Sequence, residues 1–253
     1  MKLVRALLVG LLTLATSLCL AYSLFGLGFV VCTTPQATQT IGSTFSGWDH
    51  AVFPKDDMAA IAEATRSFSI EGTSTDALFA TIHDVIAKTN PDIAALIDSG
   101  SAAPAVAGTG DAAKTLERYS LPDDALSHLR DCTPVFTTGR ISTGVVGAFG
   151  IVGVIALALI AGRKRAGGAL ILGSLIVIAV IVSLGAWAAL DFEGLFAWMH
   201  SLFFAQGTWT FDANSLLIRL FPEAFWAAMA GLWVISTLIF AGICAFVGRI
   251  LAK

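Results

Sequence analysis

The sequence predicts an all-α integral membrane protein: four transmembrane helices carrying a mainly helical extracytoplasmic cap. Three observations predict it. The 253-residue chain has a mean hydropathy of +0.81 with 13% charged residues, a balance suited to lipid as solvent. Four apolar runs each exceed the ~20 residues that cross ~30 Å of hydrocarbon as a helix. The charges are also sorted by sign along the chain, as the side-to-side asymmetry of a membrane protein requires.

The first run follows Lys2 and Arg5, and its apolar part is Ala6–Val31. It is longer than the ~7–15-residue core of a signal peptide. Cys19 follows Leu18 rather than a small residue, so a lipoprotein cleavage site is not expected and the helix is read as retained. Ile141–Gly162, Ala166–Leu190 and Ala224–Gly248 are the other three runs, each uncharged between flanking charges. Their few hydroxyls can bond back to their own helix, and their glycines suit close helix packing.

Orientation follows from the bases. Lys2, Arg5, Arg163, Lys164, Arg165, Arg249 and Lys253 lie on one side with no acid, and all 18 acidic residues lie on the other. Cytoplasmic segments are the basic ones. The expected layout is a cytoplasmic N-terminus and first span over 1–31, an outer cap over 32–140, and spans two and three over 141–190 joined by the cytoplasmic hairpin 163–165. An outer aromatic loop over 191–223 follows, then the fourth span and a cytoplasmic C-terminus over 224–253.

Within the cap, Pro54–Ser67 reads as a helix with Met58, Ile61, Ala62 and Thr65 on one face. Thr75–Lys88 reads as a second, with Leu78, Phe79, Ile82, Val85 and Ile86 at helical spacing. Ser99–Gly110 is rich in Ala, Gly and Ser and reads as a loop. Ser120–Cys132 reads as a third helix, with Pro122 at its start and Asp123 and Asp124 at its positive end. Cys32 and Cys132 both fall on the oxidising face, where a disulfide between them would close the cap if the first two spans are neighbours.

Titratable groups outside the cytoplasm offer one kind of chemistry. The outer loop Asp191–Trp209 surrounds His200 with Phe192, Phe196, Trp198, Phe203, Phe204 and Trp209. Such a stretch is either an interfacial aromatic belt or a dry site for proton transfer. His128 lies in the third cap helix with Asp124 four residues before and Asp131 three after, both within reach of its ring. His50 and His83 have plainer surroundings. The chain carries no Gly-x-Ser-x-Gly, no His-Glu-x-x-His, no phosphate-binding glycine loop and no nucleic-acid motif. A third ligand to join the two histidines at clear spacing is lacking, so no metal is expected.

The segment Met199-His200-Ser201-Leu202-Phe203-Phe204, followed by Trp209, Phe211-Asp212, Leu216-Leu217-Ile218 and Phe221-Pro222-Glu223, resembles the outer loop of the bacterial lipoprotein intramolecular transacylases. Their pattern is roughly F-H-x-x-F-F, then W, F-D, L-I and F-P. His128-Leu129-Arg130-Asp131 resembles that family's H-x-x-D element before the second span. Both motifs come in the family's order and in its four-span layout, leaving the cap between Cys32 and Arg118 unmatched. Met199 stands where the family usually carries Phe, Cys132 where it carries a small aliphatic residue, Ala205-Gln206 where it tends to carry Asn-Asp, and Asn214-Ser215 where it tends to carry an acidic residue.

The resemblance implies an acyl shift, from the sn-2 ester of a diacylglyceryl-modified N-terminal Cys to that residue's α-amine, giving a lyso-form lipoprotein. It implies His128 and His200 as the acid and base, Asp131, Trp198, Phe203, Phe204 and Trp209 as substrate-binding neighbours, and no cofactor. Diacylglyceryl lipoproteins and membrane lipid would be the partners, in a bacterial plasma membrane with the site outside. The residues leave open which histidine is base. They also admit a non-enzymatic protein whose cap binds a partner, or an intermolecular lipid acyltransferase or hydrolase.

Overall fold

The structure is a computed structural model, and it describes residues 2–46, 52–98 and 117–253. His50 and the Ser99–Gly110 loop lie outside the described residues. Among those described, every regular element is a helix, as the sequence predicts. In chain order they are α1 Lys2–Cys32, α2 Pro35–Phe45, α3 Lys55–Arg66, α4 Thr75–Thr89, α5 Pro91–Asp98, α6 Asp123–Ala161, α7 Arg163–Leu190, α8 Phe192–Phe203, α9 Leu216–Leu220 and α10 Glu223–Ala252.

Four of these, α1, α6, α7 and α10, are long and apolar enough to cross a membrane. Contacts divide the chain into two compact units. The first comprises Met1–Cys32, Thr138–Trp198 and Gly231–Lys253, and the second Thr33–Thr137 and Met199–Ala230.

The first unit is built from the spans. Its helices keep their apolar side chains outward: the most apolar stretches are 11–28% buried, and Leu3, Leu159 and Leu190 are more than 80% exposed. In water that surface would be untenable; in lipid it is the solvated one. The interior is made by small and hydroxyl residues. Ser17 Oγ donates to its own helix at Thr13 O (2.8 Å) and across to Ala169 O on α7 (3.0 Å). Trp233 Nε1–H on α10 donates to Phe25 O on α1 at 2.9 Å. Gly26 faces the Thr143 side chain of α6 so closely that any Cβ would collide with it. Ala21, Leu24, Val177, Ile181 and Ala241 fill the centre.

The second unit has a core of its own, in which Met58, Ile61, Leu78, Ile82, Ile86, Leu121, Leu216 and Leu220 are almost wholly buried. Its helices start where their caps dictate. Thr34 and Ser74 accept from Ala37 N–H and Ala77 N–H, each satisfying one otherwise orphaned donor. A π-turn, Ser67–Glu71, extends α3 and ends at Gly72, whose left-handed φ of 70° glycine adopts without a Cβ penalty. Arg66 is 5% exposed, gripping Glu63 (2.8 Å), Glu71 (2.7 Å) and Thr33 O (3.2 Å).

Two sequence expectations change, and one question that the sequence left open is answered. The third cap helix and the second span form one helix, α6, because nothing between Cys132 and Arg140 stops it; Pro134 sits within it on an exposed position. The outer loop is itself mostly helical, as α8 and α9. Cys32 and Cys132 carry separate thiols, not a disulfide.

Candidate active site

His128 is placed by the start of α6. Asp123 and Asp124 occupy its first turn, complementing the positive helix end, and Leu126 N–H donates to Pro122 O at 3.0 Å. Leu121, Ala125 and Leu129 pack into the core of the second unit. Ala125, His128, Leu129 and Cys132 recur at helical spacing on one face. The burial that seats this helix therefore also takes His128 out of water, leaving it 9% exposed.

His200 is in the last turn of α8, and among that helix's residues it is the buried one, 8% exposed. Phe204 N–H closes the turn on His200 O at 2.9 Å. The chain then reverses at Gly207, whose φ of 87° is left-handed, with Thr208 N–H donating to Ala205 O at 3.2 Å. Asp212 Oδ1 accepts from Asn214 N–H at 2.7 Å, and Ser215 caps α9 through Ile218 N–H at 3.4 Å. The short α9 is held by Leu216, Leu217 and Leu220 in the core and by Ser46 Oγ donating to Leu220 O at 2.7 Å. With both ends fixed, the intervening loop lays Trp209 and Phe211 against the histidines.

The two imidazoles face each other with centroids 6.2 Å apart and planes 27° from parallel. Phe204 touches both, edge-on to His128 at 4.7 Å and tilted to His200 at 5.7 Å. Phe211 lies 5.6 Å from His128, and Trp209 4.9 Å from His200. The His128 Nε2 faces Cys132 Sγ at 3.7 Å, while its buried Nδ1 has no hydrogen-bond partner among the described residues.

Burial pushes the pKa of His128 down, the nearby His200 pushes it further, and the Asp131 carboxylate opposes both. The ring is therefore neutral at neutral pH. Burial first, and then the Asp131 charge, pushes the Cys132 thiol up to about 12, so it stays protonated.

Of the residues singled out from sequence, the structure brings together His128, His200, Phe204 and Trp209. Asp131 is exposed and reaches His128 as a charge. Asp124, the other carboxylate read as a partner for His128, instead accepts from Ala125 N–H at 2.8 Å. Phe203 is 56% exposed and packs on Phe204 (6.4 Å), and Trp198 belongs to the first unit, where its ring meets Trp187 at 5.3 Å. Phe211 and Cys132 were not singled out as site residues. The F-D pair of the loop motif and the four-residue step from His128 to Cys132 were the signals for them. Among the described residues no three metal-ligand side chains converge.

The family model described as lipoprotein intramolecular transacylase Lit matches residues 109–226, a stretch that takes in both histidine motifs. The recognition made from those motifs is thus also the family match. Among solved structures, an in meso structure of the membrane integral lipoprotein intramolecular transacylase Lit from Bacillus cereus is 18% identical, covers 98% of this chain and 97% of its own, and superposes with a TM-score of 0.66. A histidine-to-alanine variant of the same protein is 19% identical over 100% of this chain and 97% of its own, with a TM-score of 0.55. These likenesses establish a common fold, that of a multi-pass membrane protein. No curated protein matches.

Proposed function

We propose that this chain is a lipoprotein intramolecular transacylase of the bacterial plasma membrane. It moves an acyl chain from the sn-2 ester oxygen of a diacylglyceryl-modified N-terminal Cys to that residue's own α-amine, leaving a lyso-form lipoprotein. The observation that carries this reading is the facing pair of buried imidazoles, 6.2 Å apart within a wall of Phe204, Trp209 and Phe211.

The chemistry asks for little else. The amine attacks the ester carbonyl carbon, a C–N bond forms, the C–O bond to glycerol breaks, and one proton passes from the amine to the departing oxygen. Two imidazoles can accept that proton, steady the oxyanion and return the proton to the leaving group. Amine and ester belong to one molecule, so orientation supplies much of the rate: effective molarities of oriented intramolecular reactions reach ~10⁵–10⁸ M. Aromatic walls that keep water out spare the ester from hydrolysis.

The segregation of bases and acids supports cytoplasmic termini and an extracytoplasmic site. In a cysteine-free background, a membrane-impermeant thiol reagent added to whole cells should label Asp84→Cys and spare Lys164→Cys; both positions are exposed. The reverse pattern would place the site in the cytoplasm. The activity itself is tested by mass spectrometry of a host lipoprotein's N-terminal peptide with and without the gene. The expected product carries one acyl chain on the α-amine and one on the glyceryl group. A free amine on a lysoglyceryl peptide would indicate a hydrolase, and acyl transfer to a second lipid an intermolecular enzyme.

A further inference from the structure

The geometry points to Cys132 as a positioning residue for His128: its thiol donates to Nε2, so the neutral ring carries its proton on Nδ1 and works through that nitrogen. Two independent observations carry this. Sγ lies 3.7 Å from Nε2, one helical turn along α6. The opposite ring nitrogen, Nδ1, is buried without a hydrogen-bond partner among the described residues, in a side chain 9% exposed beside His200. A buried polar atom left in that state is costly unless a bound molecule meets it.

The direction of the hydrogen bond follows from donor chemistry. Sulfur is a poor acceptor, whereas imidazole nitrogen is a good one, so S–H to Nε2 is the better of the two pairings. The thiol, held protonated by its surroundings, has the hydrogen to give. Which ring nitrogen bears the proton is set by the bond the other makes. An isolated neutral imidazole prefers the Nε2–H form, so the thiol reverses the default.

The functional half rests on the transacylase reading and divides its tasks. With Nδ1 protonated, His128 is a neutral hydrogen-bond donor and not a base; it holds the carbonyl oxygen as negative charge gathers there. The neutral amine attacks, and His200 takes the proton from its nitrogen as the C–N bond forms and passes it to the departing glycerol oxygen. The C–N bond forms, the C–O bond breaks, and His200 ends as it began. Cys132 itself is neither oxidised nor acylated.

The test uses the full chain in detergent with ¹⁵N-labelled histidine, and two-bond ¹H–¹⁵N correlation to read each ring's tautomer. His128→Gln identifies the His128 signals. The wild type should show protonated Nδ1 and bare Nε2. Cys132→Val should move His128 toward Nε2–H, and Cys132→Ser, which keeps a donor, should restore Nδ1–H. The kcat for lyso-lipoprotein formation should fall roughly 2–10-fold in Cys132→Val, the population change expected of one net hydrogen bond, with KM little altered. Cys132→Ser should recover most of that loss. The unchanged signals of the other histidines report that the variants are folded. An Nε2–H tautomer in the wild type, or one equal ratio in all three proteins, overturns the proposal. A tautomer change with no change in kcat overturns its functional half. A tautomer change in a protein that makes no lyso-lipoprotein at all counts against the transacylase reading and leaves the positioning role standing.

Discussion

Removing either imidazole should stop the reaction, and removing both should cost little more. His128 and His200 share one neighbour, Phe204, and face each other at 6.2 Å. A substrate held between them meets both at once. Proton transfer and oxyanion stabilisation are typically worth ~10²–10⁴-fold each, about 3–5 kcal/mol of barrier. Groups that serve a single transition state are strongly non-additive. His128→Gln and His200→Gln should therefore each lower kcat about 10²–10⁴-fold, and the double variant should sit within about ten-fold of the worse single. Glutamine keeps a polar side chain and spares the core a cavity; truncation to Ala would add a stability cost of roughly 1–3 kcal/mol for a side chain buried like these. Asp131→Asn should fall between wild type and the single variants, since it removes a charge acting on His128 but no group of the facing pair. The assay is single-turnover conversion of a diacylglyceryl-Cys peptide by purified protein, followed by mass spectrometry, with thermal unfolding to confirm the fold. His83→Ala, at a half-buried position on α4, is the control. If a folded single variant stays within ten-fold of wild type, or if the two losses simply multiply, the two-histidine site is wrong.

Acid should weaken the protein through His128. Its folded pKa is below its unfolded value of about 6.5, so in the window between the two the unfolded state binds more protons. Stability is then complete above ~6.5, falls as pH drops toward the folded pKa, and levels off below it. His128→Gln should flatten that part of a thermal-unfolding profile; an unchanged slope would exclude His128 as its source. In the membrane unit, Gly26→Ala should lower stability by roughly 1–3 kcal/mol by overpacking against Thr143, with Gly26→Ala/Thr143→Ala recovering much of it. Gly10→Ala, with nothing within 4 Å, should be close to neutral in the same denaturation assay. Arg66→Met should destabilise by roughly 2–3 kcal/mol, less than a fully buried ion pair would cost, because Glu71 is 45% exposed. A change under half a kilocalorie in chemical denaturation would show the ion pairs of Arg66 to be ornamental.

Spans were the most legible part of the chain because a long uncharged run has one physical use. Each of the four became a helix, the first extending from Lys2 to Cys32 around the apolar core Ala6–Val31. Cap helices α3 and α4 were legible to within a residue or two because Met58, Ile61 and Ala62, and Leu78, Ile82, Val85 and Ile86, are the buried positions as well as the periodic ones. Pro35–Phe45 was missed. It is rich in Thr, Gln, Gly and Ser, and it is held by the Thr34 cap and by Ser46 bonding to Leu220, a residue 174 positions away. Local periodicity cannot report such a partner. The junction of α6 was misread for the opposite reason: charges at Arg130, Asp131 and Arg140 marked the end of the apolar run, but the backbone has no cause to stop where hydropathy changes.

The aromatic loop shows why composition alone could not choose between an interfacial belt and a dry site. Exposed and buried rings occur side by side in one twelve-residue helix and the turn after it. Phe204, the first residue after α8, is one turn on from His200 and hydrogen-bonded back to it, so burying one draws in the other. Trp198 and Phe203 fall on other lines; they are 45% and 56% exposed, the condition of a ring at a membrane interface. Trp209 and Phe211 are beyond the helix altogether. They reach the histidines through the reversal at Gly207 and the anchoring of α9, neither of which a helical wheel can show. Dryness at His200 is thus a product of chain reversal: a helix with one buried histidine in its last turn needs the returning strand of chain to roof it. Shortening the reversal by deleting Gly207 should therefore uncover His200 while leaving α8 intact. It should convert an acyl transfer into ester hydrolysis before it abolishes turnover, because water then reaches the ester that the amine should attack. Mass spectrometry distinguishes the two products, and a deletion variant that still yields solely the N-acylated peptide would show that the roof is not what excludes water.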